Sequence, residues 1–145
     1  MFVAKVLSSK AQSGVRTITP DATVADAAAD LAANRIGALV VCTDEICPAG
    51  ILSERDIVRE LGRQGAAVLS EKVGDVMTVK LQTCGPSDDV ESVLTRMTEG
   101  RFRHMPVMDG DTMIGIVTLG DVVKARLSEV SMEKDALEAM ISGHG

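Results

Sequence analysis

Apolar and polar positions follow two rhythms along this chain, and the switch between them recurs. Val24, Ala27, Ala28 and Leu31 fall near the 3.6-residue spacing of a helix with one buried face; Val90, Val93, Leu94 and Met97 do the same. A short β-like segment and a proline precede each helical stretch, VRTIT at 15–19 before Pro20 and LQTCG at 81–85 before Pro86. A β-rich run follows, GALVVC at 37–42 or HMPVM at 104–108. Turn residues come next, TDE or DGD, with Asp109-Gly110 the clearest hairpin signal. A second strand, AGILS or MIGIVT, then leads into a second helix beginning near Asp56 or Asp121. The predicted unit is β-α-β-β-α, and it occurs twice.

The duplication can be followed residue by residue. Pro20 aligns with Pro86, Val24 with Val90, Leu31 with Met97 and Arg35 with Arg101, an offset of 66. One residue is lost in the following turn, so Gly50 aligns with Gly115 and Asp56 with Asp121 at an offset of 65. A copy of roughly 55 to 60 residues exposes too much apolar surface to stand alone, which predicts that the two pack face to face. The first copy is expected over 8–70 and the second over 79–130. A lead-in linker, EKVGDVMT at 71–78, lies between them and faintly echoes FVAKVLS at the start. A C-terminal helix is expected over 121–141, where Val123, Leu127, Val130, Leu137 and Ile141 form a stripe broken by Lys134. That stripe fits either packing onto its own domain or a dimer seam.

Composition narrows the function. The chain has 145 residues, 46% hydrophobic and 25% charged, enough for a core and a charged surface. Its longest clean apolar run, Ile36 to Cys42, is too short to cross a bilayer, and the N-terminus lacks the pattern of a secretory signal. A cytoplasmic location and no membrane partner are expected. The net charge of −6 opposes nucleic-acid binding, which needs a basic face. With no Trp, no Tyr and two Phe, the chain cannot build aromatic platforms for bases. Cys42, Cys47 and Cys84 match no common zinc or redox spacing and are expected as buried or half-buried thiols. With two histidines, no metal site is expected.

Two stretches carry the candidate chemistry, GILSERDIV at 50–58 and GIVTLGDVV at 115–123. A hydroxyl residue followed three positions later by an acid, ahead of an apolar run, is a capping-box-like helix start. Thr23 and Asp26 have the same spacing at another helix, where capping alone is expected. The same physics permits a ligand: a helix start after a buried strand favours anions, a hydroxyl can donate to phosphate, and a carboxylate can accept from ribose hydroxyls. Both readings stand. Arg101, Arg103 and His104 cluster in an otherwise acidic chain. On a strand the two arginines would share one face and His104 the other, as a charged edge or as phosphate contacts. The first copy keeps only Arg35 of this cluster, and has Arg55 where the second has Gly120, so two sites would bind unequally.

GILSERDIV, GIVTLGDVV, FRHMPV and the lead-in VGDVMT, in register within the duplicated unit, resemble a tandem pair of cystathionine-β-synthase (CBS) domains, or Bateman module. The resemblance covers roughly residues 5–130 and is to the small stand-alone bacterial members. It implies an α/β fold of two repeats packed as a pseudo-two-fold disc, plus the C-terminal helix. It also implies a regulatory, energy- or redox-sensing module that takes AMP, ADP, ATP, NAD(H) or S-adenosylmethionine in clefts between the repeats. On the same resemblance Asp56 and Asp121 hold ribose hydroxyls, and Ser53 and Thr118 contact phosphate or ribose. Thr17, Ile18, Thr83 and Cys84 lie where adenine is read, while Ala38, Leu39, His104, Met105 and Pro106 line the facing walls. Arg103 and His104, with Arg101 beside them, match basic phosphate contacts; Arg55 or Arg35 would have to serve the first site. A homodimer that signals to an effector protein by conformational change is implied. The alternative is a ligand-free dimeric scaffold whose aspartates only cap. An enzyme is not expected, since no nucleophile elbow, Walker loop or oriented acid–base pair is present.

Overall fold

The computed structural model describes residues 1–10 and 14–142. In order the elements are α1 (Val3–Ser9), β1 (Thr17–Ile18), α2 (Val24–Asn34), β2 (Ala38–Val41), β3 (Gly50–Ser53), α3 (Glu54–Gln64), a 3-10 turn (Gly65–Ser70), α4 (Val73–Val76), α5 (Val90–Gly100), β4 (His104–Asp109), β5 (Thr112–Thr118) and α6 (Leu119–Ser142). None of the described helices is long and apolar enough to cross a membrane. The chain divides into two compact units, one of Gly14–Gln82 with Gly110–Met113, the other of Met1–Ser13, Thr83–Asp109 and Ile114–Gly145.

In the first of these, β1 runs parallel to β2 and β2 antiparallel to β3, with Ala38 opposite Ser53 and Val41 opposite Gly50. The apolar face of α2 (Val24, Ala27, Leu31) closes over Leu39, Val41 and Leu52 of the sheet, with Ile57, Val68 and Val73 completing the core. In the second unit β4 and β5 form a hairpin, and α5 contributes Val90, Val93 and Met97 to a core with Met105, Val107, Val117 and Val122. The β-α-β-β-α order is therefore present in both, with one difference. VRTIT yields the two-residue strand β1, whereas LQTCG yields a single bridge from Cys84 to Val107. The cause is Pro106. Its counterpart Val40 donates its N–H to Arg16, and a proline has no N–H to give.

The echo between FVAKVLS and EKVGDVMT has a structural meaning. Val24 N–H bonds the Glu71 carbonyl (2.9 Å), Val73 N–H the Ala22 carbonyl (2.8 Å) and Gly74 N–H the Pro20 carbonyl (2.9 Å). In the other unit Val90 bonds Met1 (3.0 Å), Val3 bonds Asp88 (2.9 Å) and Ala4 bonds Pro86 (3.0 Å) in the same pattern. Thus α4 docks on the copy that precedes it, and α1 docks on the copy at the far end of the chain. Each lead-in also explains the glycine opening its copy's motif. A Cβ on Gly50 would lie 2.5 Å from Met77 Sδ and 2.9 Å from the Thr78 carbonyl oxygen; one on Gly115 would lie 2.8 Å from Leu7 Cδ2.

Two expectations are corrected. Arg101 does not stand on a strand with Arg103. It ends α5 in the left-handed conformation at φ 57, as Arg35 ends α2 at φ 53, and β4 begins only at His104. The repeated helix stop forces this turn, at a cost of about 1–2 kcal/mol for a residue with a Cβ. The cysteines are also not three thiols, because Cys42 and Cys47 form a disulfide. Cys42 directly follows β2 and Cys47 closely precedes β3, so the Val41–Gly50 register closes the loop with their Cα atoms 4.5 Å apart. Cys84 is the free cysteine, with its thiol pushed up to about 11 by burial, reinforced by Asp88 and opposed by Arg96. Thiol titration in denaturant should find one thiol before reduction and three after. The native Cys84 should resist alkylation at pH 8, where the thiolate is scarce.

Candidate functional site

Both repeated motifs place a strand end, a hydroxyl and a carboxylate in one tight turn. In the first, Ser53 N–H donates to Asp56 Oδ2 (2.9 Å) and Asp56 N–H to Ser53 Oγ (3.2 Å), a reciprocal capping box. In the second, Thr118 N–H donates to Asp121 Oδ2 (2.9 Å) and Asp121 N–H to Thr118 Oγ1 (3.1 Å). Each helix start also hangs from the preceding strand edge, with Glu54 N–H on the Gly37 carbonyl (2.9 Å) and Leu119 N–H on that of Arg103 (2.8 Å). Capping is thus real in both copies. At Thr23 only half the arrangement forms, Asp26 N–H donating to the hydroxyl.

The two carboxylates differ in what remains of them. Asp56 is the only buried charged residue among those described, at 6% exposure. Its Oδ2 holds the cap, and its Oδ1 takes Arg59 Nη2 at 3.0 Å and the Thr78 hydroxyl at 3.4 Å. Asp121 is a quarter exposed, and its Oδ2 takes both the cap and Lys10 Nζ, at 2.9 Å. Its Oδ1 accepts no hydrogen bond among the described residues. Burial alone would raise the Asp121 carboxyl. The Thr118 N–H and the Lys10 ammonium override that and hold it below its ordinary value. One motif is sealed, the other keeps an ionised oxygen open.

The other candidate residues fall into three groups. Ala38 faces Ser53 across the β2–β3 ladder, and Thr17 and Ile18 pair with Val40 and Val41 on the other side of β2, so strand and helix start are contiguous. Arg103 meets the start of α6 through its carbonyl, which accepts from Leu119 N–H, with half-buried His104 next to it. Leu39, Cys84, Met105 and Pro106 are buried, the first three within the cores, and the Cys84 N–H and carbonyl already bond Pro106 and Met108. Exposed positions are taken by Thr17, Arg55, Thr83, Arg101 and Arg103, with the Thr83 carbonyl held by Arg96 at 2.8 Å. Three residues touching the motif aspartates escaped the sequence reading: Lys10, Arg59 and Thr78. Only Arg59 carried a local signal, its three-residue spacing from Asp56 on one helix.

Known proteins resemble this chain in sequence and in fold. The pattern that defines the CBS domain matches residues 6–63 and 73–128. The chain is 39% identical to the mitochondrial CBS domain-containing protein CBSX3 of Arabidopsis thaliana, over 97% of this chain and 72% of that protein. A crystal structure of a CBS-domain-containing protein from Agrobacterium tumefaciens superposes with a TM-score of 0.83 at 40% identity, over 87% of this chain and 99% of that one. The CBS domain pair of protein MJ0100, solved with 5′-methylthioadenosine and S-adenosyl-L-methionine, shares the fold at TM-score 0.76 and 21% identity, over 89% and 98% of the two chains.

Proposed function

We propose a function from one premise: the chain belongs to the CBS-domain family and carries two such domains in tandem, a CBS-pair regulatory module. Its ligand is an adenosine-bearing small molecule, AMP, ADP, ATP, NAD(H) or S-adenosylmethionine, and its output is a change in the population of two packings that a partner protein reads. The observation that carries this reading is the Thr118–Asp121 turn, where the cap leaves a carboxylate oxygen open. Ribose hydroxyls donate to that oxygen, and the Thr118 hydroxyl with Arg103 and His104 receives phosphate. The fold relative solved with two adenosine compounds supports the ligand class. The sealed Asp56 makes the first repeat the weaker site, serving mainly as a cap. The setting is proposed to be cytoplasmic, where a reducing thiol pool would open the Cys42–Cys47 bond.

Titration calorimetry with AMP, ATP, NADH and S-adenosylmethionine tests the reading. Micromolar binding of at least one is expected, and a ligand at a hundred times its Kd should add about 2.7 kcal/mol to stability. Silence from all four, with copurified nucleotide excluded by mass spectrometry, would leave the alternative of a dimeric scaffold.

The protein is further proposed to be a homodimer through α6. That helix has 24 residues but buries only Val122 and Ala125, both in its first two turns. Residues 131–142 are exposed all round, including Leu137, Met140 and Ile141 at 59%, 78% and 84%. A length of about 12 residues is marginal for a helix in water without a packing partner. Light scattering should give a dimer mass, and Leu137→Glu with Ile141→Glu should shift it toward the monomer without lowering the helix signal of the remaining fold.

A further inference from the structure

Lys10 ends α1, yet its ammonium is fixed 106 residues away in sequence, donating to the Ile116 carbonyl on β5 at 2.9 Å. From there it meets Asp121 Oδ2 at 2.9 Å, with both side chains about a quarter exposed. An ammonium has three N–H donors. Two are committed, to Ile116 and Asp121, and the third has no partner among the described residues. Thr118 N–H and Lys10 together occupy Oδ2, so the carboxylate presents only Oδ1 outward. An acceptor, Oδ1, therefore stands beside a donor, the remaining Lys10 N–H. We propose that Lys10 and Asp121 form a composite reader of the ribose cis-diol, one hydroxyl donating to Asp121 Oδ1 and the neighbouring oxygen accepting from Lys10. This deepens the proposed function and rests on its reading of Asp121.

The first repeat lacks this arrangement. Arg59 and the Thr78 hydroxyl fill Oδ1 of Asp56. Lys80, which stands to EKVGDVMT as Lys10 stands to FVAKVLS, is exposed and forms no ion pair among the described residues. Diol recognition with both polarities thus belongs to the second repeat alone. It follows from the docking of α1 there, since Lys124, three residues after Asp121 as Arg59 is after Asp56, forms no ion pair with it among the described residues.

The test compares AMP, 2′-deoxy-AMP and 3′-deoxy-AMP by calorimetry on the wild-type chain, Lys10→Met and Lys10→Arg, with thermal melts of each. The wild type should bind each deoxy compound about tenfold more weakly than AMP, the loss of one charge-assisted hydrogen bond. Lys10→Met should bind AMP about tenfold more weakly and lose its discrimination against at least one deoxy compound, while Lys10→Arg, which keeps a donor, restores it. If Lys10→Met does not fold, Lys10→Gln replaces it. Undiminished discrimination against both deoxy compounds in the folded variant would overturn the proposal and reduce Lys10 to a structural tie, leaving nucleotide binding intact. Failure of the wild type to bind AMP would overturn the ribose reading of Asp121 for that ligand, and the diol reader with it.

Discussion

Asp56→Ala is expected to cost the fold about 2–3 kcal/mol, lowering Tm by about 6–12 °C, while Asp121→Ala costs about 1 kcal/mol and instead weakens nucleotide binding about ten- to a hundredfold. The same motif thus predicts opposite phenotypes. Removing the Asp56 carboxylate, itself 6% exposed, takes the acceptor at once from Ser53 N–H, Arg59 and the Thr78 hydroxyl, three bonds where a lost cap is one. Removing that of Asp121 loses the cap and the Lys10 pair at a site water can enter, which softens both losses. The ligand loses a charge-assisted bond that nothing nearby replaces. Thermal melts beside calorimetry, on both variants, check the contrast. Equal destabilisation with equal affinity loss would refute it.

The acid limb has a definite sign. The folded Asp121 carboxyl lies below its ordinary value of about 3.9, so its contribution to stability is complete above that value and is lost as pH falls through the lower folded value. The Asp121 carboxyl should therefore stay ionised from neutral pH down to about pH 5, and any change in ligand binding over that range should survive in Asp121→Asn.

The second large effect is steric. Gly50→Ala should destabilise by about 2–3 kcal/mol, and Gly115→Ala by about 1 kcal/mol or less. At Gly50 the new methyl meets Met77 Sδ at 2.5 Å and the Thr78 carbonyl oxygen at 2.9 Å. That oxygen cannot retreat, because Thr78 and Ile51 exchange two backbone hydrogen bonds, at 2.9 and 3.0 Å. At Gly115 the methyl meets only the tip of Leu7, which can rotate away. Denaturant unfolding of the two variants measures the difference. A Gly115 variant as damaged as the Gly50 one would mean that α1 holds Leu7 as rigidly as the Ile51–Thr78 bridge holds its carbonyl.

Much of this was legible in the chain because its causes are local. The helix periodicities from Val24 and Val90, the Asp109-Gly110 turn and the Ser-x-x-Asp caps depend on residues within one or two turns of one another, and all are present in the structure. The strand assigned to LQTCG failed because its partner lies across the fold, where the Pro106 ring removes a donor that no inspection of residues 81–85 could reveal. Arg101 was misplaced because the αL stop of α5 normally goes to glycine, and an arginine there reads as helix or strand. The Cys42–Cys47 bond depends on the register of β2 and β3, and Lys10 on the docking of α1, both long-range outcomes.

The exchanged lead-ins set an order on synthesis. A ribosome delivers the chain from its N-terminus at about 5–20 residues per second, and residues 14–82 already contain α4, the lead-in that their own copy needs. That stretch can close as soon as it emerges. Helix α1 is made before either copy but docks after the first has closed, because its acceptors at Pro86 and Asp88 and its neighbours on α5 and α6 do not yet exist. For the several seconds that the remaining residues take, about 3–12 at those rates, Val3 and Val6 stay in water. The nascent chain therefore carries an exposed apolar helix that a chaperone can hold, and a release of translation anywhere before α6 leaves α1 without its full set of neighbours.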